Sequence, residues 1–471
     1  MTIIESHHMF LFPIVYISSF IYAIALLAKK QLRGLLIFVI IGLPIYLNSL
    51  TVSFLYGFRS FIPIMQSFKE IIIFLALLLV LFGLKKKPVL HIVDKLFLVF
   101  FGYSLLYTIL PIGDYDFALR LLAFKSLAMF PVIYFTGRFC NPRSININGV
   151  LSYICIVSMV AATVGILFEL IPYQHLHTRT GFLNYMIQYM GAEQSGHYGL
   201  VWTFETETGM KRFGSIFSNP LEFAAASVLA LSAALALATS NRNRIIFSNF
   251  NVLSILSTLA CILLAASRAS FANYFIVVYC YALITRNRIL LRIAHWTVAI
   301  AVVYVVFFLE GDIKDLIMST FSFESTSSLG HALEWLDGIN AMISHPFGMG
   351  MGASGRVSSV SQENTGGENQ LIIIGVQTGV AMLILYAWAY IAIIRSGLGA
   401  LRTAMGRKKK LITCVVLFKI GLIFPLLTAY LDNYIYVAYI TYFLSGMMIR
   451  MIMQDAVAPE KDFQRLALSP S

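Results

Sequence analysis

Residues 9–28 read MFLFPIVYISSFIYAIALLA, an uncharged run closed by Lys29, Lys30 and Arg33. An α-helix rises about 1.5 Å per residue and the hydrocarbon core of a bilayer is about 30 Å thick, so a run of this length can cross it. No A-x-A-like cleavage site follows, which argues for a retained helix and not a signal peptide. Runs of the same character recur at about 34–56, 69–84, 95–111, 117–136, 148–170, 216–239, 248–266, 270–285, 291–309, 370–394, 411–430 and 434–451. The expected fold is an all-α, polytopic transmembrane helical bundle of about 12–14 helices, a single integral membrane domain over residues 1–471. Composition agrees, since 59% of residues are hydrophobic and only 12% charged, far from the balance of a water-soluble domain.

Orientation follows from the basic residues, which resist translocation. One of the two possible threadings places Lys29 to Arg33, Lys85 to Lys87, Arg138, Arg143, Arg242, Arg244, Arg286 to Arg292, Arg395 to Lys410 and the C-terminal tail on one side. Of the 22 acidic residues, only Asp94, Asp455, Glu460 and Asp462 share that side. The basic side is therefore expected to be cytoplasmic, with the N-terminus outside and the C-terminus inside. On this reading the net charge of +12 is a topology signal and not a nucleic-acid footprint. Cys155, Cys261, Cys280 and Cys414 fall within expected spans and Cys140 in a cytoplasmic link, so none staples an outer loop, and no Cys/His spacing suggests a metal site.

Two long connections, about 171–215 and 310–369, fall on the outer side. Long loops usually carry function. The first is rich in aromatic and polar residues. Tyr173, Phe182, Tyr185, Tyr189, Tyr198 and Trp202 suit either sugar stacking or an interfacial aromatic belt. The second holds an amphipathic helix expected at 330–344, with Ala332, Trp335, Leu336, Ile339 and Ile343 on one face, a cap at Ser327 or Ser328, and a stop at His345-Pro346. A glycine-rich stretch then leads to Glu368-Asn369.

These landmarks carry a resemblance. Arg212-x-Gly214-x-x-Phe217-x-Asn219-Pro220 enters a helix and Ser267-Arg268 lies between two others. Trp335 stands ten residues before His345-Pro346-Phe347-Gly348-Met349-Gly350-Met351-Gly352, and Glu368-Asn369 opens a segment reaching Gly379. In order and placement they resemble the O-antigen polymerase and O-antigen ligase superfamily, whose members join lipid-linked glycans on the periplasmic face of the bacterial inner membrane. The resemblance implies a glycosyltransferase of polysaccharide biosynthesis that needs no metal or other cofactor. It implies an undecaprenyl-diphosphate-linked oligosaccharide as donor and another as acceptor, membrane lipids around them, and a chain-length regulator as a further partner. Ligases of the superfamily generally carry His-Asn where this chain has Glu368-Asn369, which favours a polymerase. The rivals are a ligase that hands finished glycan to lipid A core or protein, and a transporter with no chemistry; against the latter, no paired halves with broken helices are visible in the sequence.

Such a transfer needs cations facing a diphosphate leaving group and a proton acceptor near the attacking hydroxyl. Arg212 and Arg268, at outer helix ends, are the candidate catalytic cations, although snorkelling to headgroups is the alternative for each. Glu368 is the candidate base, with a first-turn glutamate serving its own helix dipole as the alternative. Candidate substrate-binding residues are Arg120, Lys125, Lys211, His331, Arg356 and Asn369. Arg120 and Lys125 are charges in an apolar span, where an unpaired ionisable group is costly. Five residues apart, they lie about 140° apart around an ideal helix and do not share a face. Arg356 precedes Gly367 by a spacing like the Arg-x10-Gly pattern of some O-antigen polymerases. Asn219-Pro220-Leu221-Glu222 reads as a helix start, with Asn as cap and Pro at the first position.

Overall fold

In hydrocarbon the backbone must satisfy its own N–H and C=O groups, and each long apolar run does so by forming a helix. A computed structural model describes residues 9–84, 87–207, 209–241, 245–307, 326–355, 365–430 and 434–467. The protein is an all-α bundle. Among the described residues, ten helices are long and apolar enough to cross a membrane: α1 (Leu11–Ala28), α2 (Arg33–Leu55), α3 (Arg59–Phe82), α4 (Ile92–Ile109), α5 (Phe117–Phe139), α6 (Ile147–Leu170), α7 (Pro220–Ala238), α13 (Val380–Leu401), α14 (Gly406–Thr428) and the first part of α15 (Ile435–Ala467). Between α7 and α13 lie α8 (Asn249–Ala265), α9 (Arg268–Thr285), α10 (Arg288–Phe307), the loop helix α11 (Thr326–Ser344) and the short α12 (Gln370–Thr378). It is a multi-pass membrane protein.

Every expected span has a helix, with three instructive differences. The third begins near Arg59, not at 69, because Gln66, Lys69 and Glu70 are polar yet helical. The loop helix starts at Thr326, so Ser327 and Ser328 lie inside it and do not cap it, while its end at Ser344 is as expected. The apolar run 370–394 is not one helix. It breaks at Gly379, whose φ of 91° and ψ of 164° end α12 and start α13. Pro346 O accepts from Val380 N at 3.1 Å, and Met349 N and Gly350 N donate to Val376 O and Gln377 O at 2.8 and 3.1 Å. The glycine-rich stretch thus takes up the backbone groups that the break exposes. A Cβ on Gly348 would collide with the backbone of Gln377–Gly379, so close approach requires glycine there.

Helix α7 is the centre of the bundle. Nearly all of its side chains are buried, and they are mainly alanine, serine and leucine. Small side chains allow α6, α8, α9, α14 and α15 to approach it closely. Its start follows the sequence reading: Asn219 Oδ1 accepts from Glu222 N at 2.8 Å, with Pro220 at the first position. Helices α5 and α15 meet with the Cα of Gly137 against Phe443 O and that of Gly446 against Tyr134 O.

At the end of the bundle away from the two long loops, Arg138 lies 1% exposed and donates through Nε to both oxygens of Asp94 at 3.0 Å, and through NH2 to Val89 O at 2.9 Å. Tyr134 donates to Asp94 Oδ1 at 2.6 Å. This network ties α4 to α5. Removing one partner leaves a buried charge, a loss of about 3–5 kcal/mol. Asp94→Ala is therefore expected to lower the thermal midpoint in detergent markedly, whereas the double variant Asp94→Leu/Arg138→Met should recover most of it; equal loss in both would remove the ion pair from the account.

Candidate functional site

The first long loop is held at both ends by one buried carboxylate. Glu169, at the end of α6, accepts from Leu176 N at 3.0 Å through Oε1 and from Ser215 N at 2.8 Å through Oε2. Ser215 is in the left-handed region with φ of 50°, and its hydroxyl donates to Ala161 O at 2.7 Å. A non-glycine residue keeps that conformation only where its surroundings hold it. His177 Nε2 lies 2.8 Å from Phe217 O, and a carbonyl only accepts, so Nε2 carries the proton. Burial holds the His177 pKa down at about 4, so the ring is neutral near pH 7 and its 3.9 Å approach to Glu169 is not an ion pair.

This anchoring fixes the segment that carries the candidate cations. After one 3₁₀ turn at Trp202–Phe204, Glu205 pairs with Lys211 as an antiparallel bridge, and Arg212 N donates to Phe204 O at 2.9 Å. Successive side chains of an extended segment project to opposite sides. Lys211 turns one way, donating to Tyr173 O at 2.8 Å with its Nζ over the rings of Tyr173 and Tyr198. Arg212 turns the other way, toward Arg268 and Glu207.

Arg268 is the first residue of α9, after Ser267, whose Oγ accepts from Ser270 N at 3.4 Å. Phe213 N donates to Leu264 O at 3.0 Å and so fastens the Arg212 segment to the end of α8, beside the start of α9. Arg268 NH2 meets Glu207 Oε1 at 3.3 Å. Partial burial lowers the Arg212 pKa, the neighbouring Arg268 charge lowers it further, and Glu207 opposes both. The Nε of Arg212 is buried and has no hydrogen-bond partner among the described residues. Two guanidinium groups lie near one another at a helix N-terminus, itself a positive dipole end, and this arrangement favours an anion.

Glu368 stands in a second cluster, on the other long loop. Asn369 caps α12, its Oδ1 accepting from Leu371 N and Ile372 N at 2.9 and 3.2 Å. Glu368 therefore precedes the cap and is not a first-turn residue. Its side chain reaches solvent but is densely surrounded, and desolvation raises its carboxyl above the usual range; Glu334 raises it further and His331 opposes. His331 Nδ1 and Glu334 Oε2 are 3.7 Å apart across one turn of α11. Tyr434 lies beside both Glu368 and the buried Glu222, and burial followed by these two carboxylates keeps its hydroxyl above the usual tyrosine value.

The remaining sequence candidates divide. Arg120 donates through NH1 to Thr108 O at 3.0 Å and Leu110 O at 2.6 Å, closing the carbonyl end of α4. Lys125 pairs with Glu70 at 3.2 Å, and Glu70 also meets Lys69 at 3.2 Å. Both positions are those of structural charges and join neither cluster. Asn369 serves as the cap, and Arg356 lies outside the described residues. Lys419 is buried with its Nζ over the rings of Tyr442 and Tyr390 at 3.8 and 4.6 Å. Three acidic residues were absent from the sequence candidates: Glu169, Glu207 and Glu334. Glu169 had a visible signal, an acid inside an apolar run.

Comparison of the chain with protein-family models finds no match, and comparison with curated proteins finds none.

Glu169→Ala would leave two buried backbone N–H groups unpaired, at about 1–3 kcal/mol each. Hydrogen exchange in nanodiscs is expected to rise across 171–219 and not in α4 or α5; unchanged protection there would remove Glu169 as the anchor.

Proposed function

We propose that the chain is a glycan polymerase of the bacterial inner membrane, with the two long loops periplasmic, the N-terminus outside and the C-terminus inside. The observation that carries this reading is the Arg212–Arg268 pair, with Arg212 partly withdrawn from water, Glu207 against Arg268, and a helix N-terminus adding positive potential. The donor is a glycan on undecaprenyl diphosphate. Its C1–O bond breaks with the electron pair passing to the diphosphate, whose growing charge faces the arginines. The acceptor hydroxyl forms the new bond to C1 and gives its proton to the Glu368 carboxylate.

Two distinct clusters suit this division of labour. A base for the attacking hydroxyl and a clamp for the leaving group belong on opposite sides of the sugar carbon, and Glu368 has no ion pair with either arginine. Its raised pKa makes it a better proton acceptor than an ordinary carboxylate near neutral pH. The break at Gly379 is a feature a transporter reading would seize on. It is occupied by the protein's own glycine-rich stretch, and the cation pair is left unexplained by transport alone.

Purified protein given its cell's lipid-diphosphate oligosaccharide, without metal or nucleotide, should produce a ladder rising by one repeat unit. Arg212→Ala or Arg268→Ala should cut the rate by about 10²–10³, and Glu368→Gln by at least about 10². Transfer only after lipid A core is added would make the chain a ligase, and an intact donor in both assays would overturn the covalent chemistry.

Glu368 must be ionised to act, so activity falls as pH drops through its raised pKa. Glu334→Gln removes a neighbour that raises this pKa, and the acid limb of the rate profile should move to lower pH. His331→Ala should move it the other way. A profile unmoved by either change would exclude Glu368 as the base.

A further inference from the structure

A cavity of about 1580 Å³ opens on the Lys211 side of the segment whose next residue, Arg212, faces Arg268. Its walls are apolar and come from three helices, with Phe12 and Val15 of α1, Ile41 of α2, and Ile156 and Val160 of α6. Ile41 and Val160 are 46% and 49% exposed, so the cavity is a groove open sideways to the bilayer. Its roof is polar and basic: His175, Arg179, Tyr198 and Lys211. Among the described residues, no Asp or Glu lines it.

Two further observations mark the groove as a site. Lys211 and Arg179 have no carboxylate within ion-pair distance among the described residues; Lys211 is held by Tyr173 O and two rings, and Arg179 donates to Gln174 Oε1 at 3.0 Å. Both π-helical segments among the described residues also border it. Phe38–Gly42 in α2 supplies Ile40 and Ile41, and Gly165–Leu170 in α6 supplies Phe168. Such segments cost hydrogen-bond geometry and concentrate at functional positions. An apolar trough with uncompensated cations at one end is complementary to a long-chain lipid with a phosphate head.

We propose that this groove seats the polyprenyl chain of the lipid-linked acceptor, with its phosphate against Lys211 and Arg179, while the donor's diphosphate faces Arg212 and Arg268. The proposal rests on the polymerase reading, in which two lipid-linked molecules must be held at once and the arginine pair accounts for one. The acceptor keeps its lipid phosphate through the reaction, so it needs cations that hold charge. The donor needs cations where charge grows.

The test is photolabelling of the full chain in phosphatidylethanolamine nanodiscs with a polyprenyl monophosphate carrying a diazirine on its chain. Labelled peptides should fall within 9–15, 40–45 and 156–168. Lys211→Ala should reduce labelling about tenfold or more, the loss of a charge-assisted contact. Val160→Trp, at an outward-facing position that tolerates bulk, should reduce it by filling the groove; a monodisperse elution profile checks its folding. Excess unlabelled polyprenyl phosphate should compete and phosphatidylglycerol should not. Equal competition by phosphatidylglycerol, or labelling spread over other lipid-facing helices, would overturn the proposal. In the ladder assay Val160→Trp and Lys211→Ala should raise the acceptor KM more than they lower kcat at saturating acceptor. Unchanged acceptor dependence in Val160→Trp overturns the groove and leaves the polymerase. Groove labelling with no ladder from any acceptor supports the polyprenyl site and removes the polymerase.

Discussion

Glu169 accepts a backbone N–H from each end of the first long loop, and it does so from a fully buried position at the end of a membrane helix. An unpaired carboxylate there would be costly, so the loop and the carboxylate satisfy each other or neither does. With Leu176 and Ser215 fixed, both ends of the loop are held against α6, and within the loop Glu205 pairs with Lys211. Pairing sets the alternation that sends Lys211 and Arg212 to opposite sides. The position of two adjacent cations, and with it the proposed separation of acceptor and donor phosphates, rests on that anchoring together with the local bridge and the bond from Phe213 N to Leu264 O.

The second loop is placed by a different device. A helix break at Gly379 frees backbone groups of α12 and α13, and the stretch from Pro346 to Gly350 takes them up. Glycines at 348 and 350 let it lie against the end of α12 and against Ile112. Glu368, at the other end of α12, thereby inherits its position from the bundle. Both candidate clusters stand on helix termini, where rigid elements meet loops and where free backbone dipoles are available.

Most of the membrane architecture was legible in the sequence, because a bilayer imposes a length and a polarity that few other environments do. What escaped was local. The start of α3 was hidden since polar Gln66, Lys69 and Glu70 mark the edge of the apolar run, yet Glu70 pairs with both Lys69 and Lys125. The break at Gly379 was hidden since its cause is a contact from thirty residues upstream. Sequence landmarks point to Arg212, Arg268, Glu368 and His331, and the structure sets the two arginines together and Glu368 beside His331. Arg120 and Lys125 looked functional because a charge in a span is unusual, but spacing alone could not show the carbonyls and the carboxylate that occupy them. Glu207 and Glu334 act through space on partners far along the chain, and no pattern within their own segments announces that.

The central claim is that Arg212 and Arg268 form one binding unit for a diphosphate. A double-mutant cycle on the affinity for polyprenyl diphosphate, measured with the protein in nanodiscs, tests it most directly. Each Arg→Ala change should weaken binding by about tenfold or more, and the two losses should be non-additive because the groups act on the same anion. Wild-type affinity in both single variants would contradict the account, whatever the rest of the bundle does.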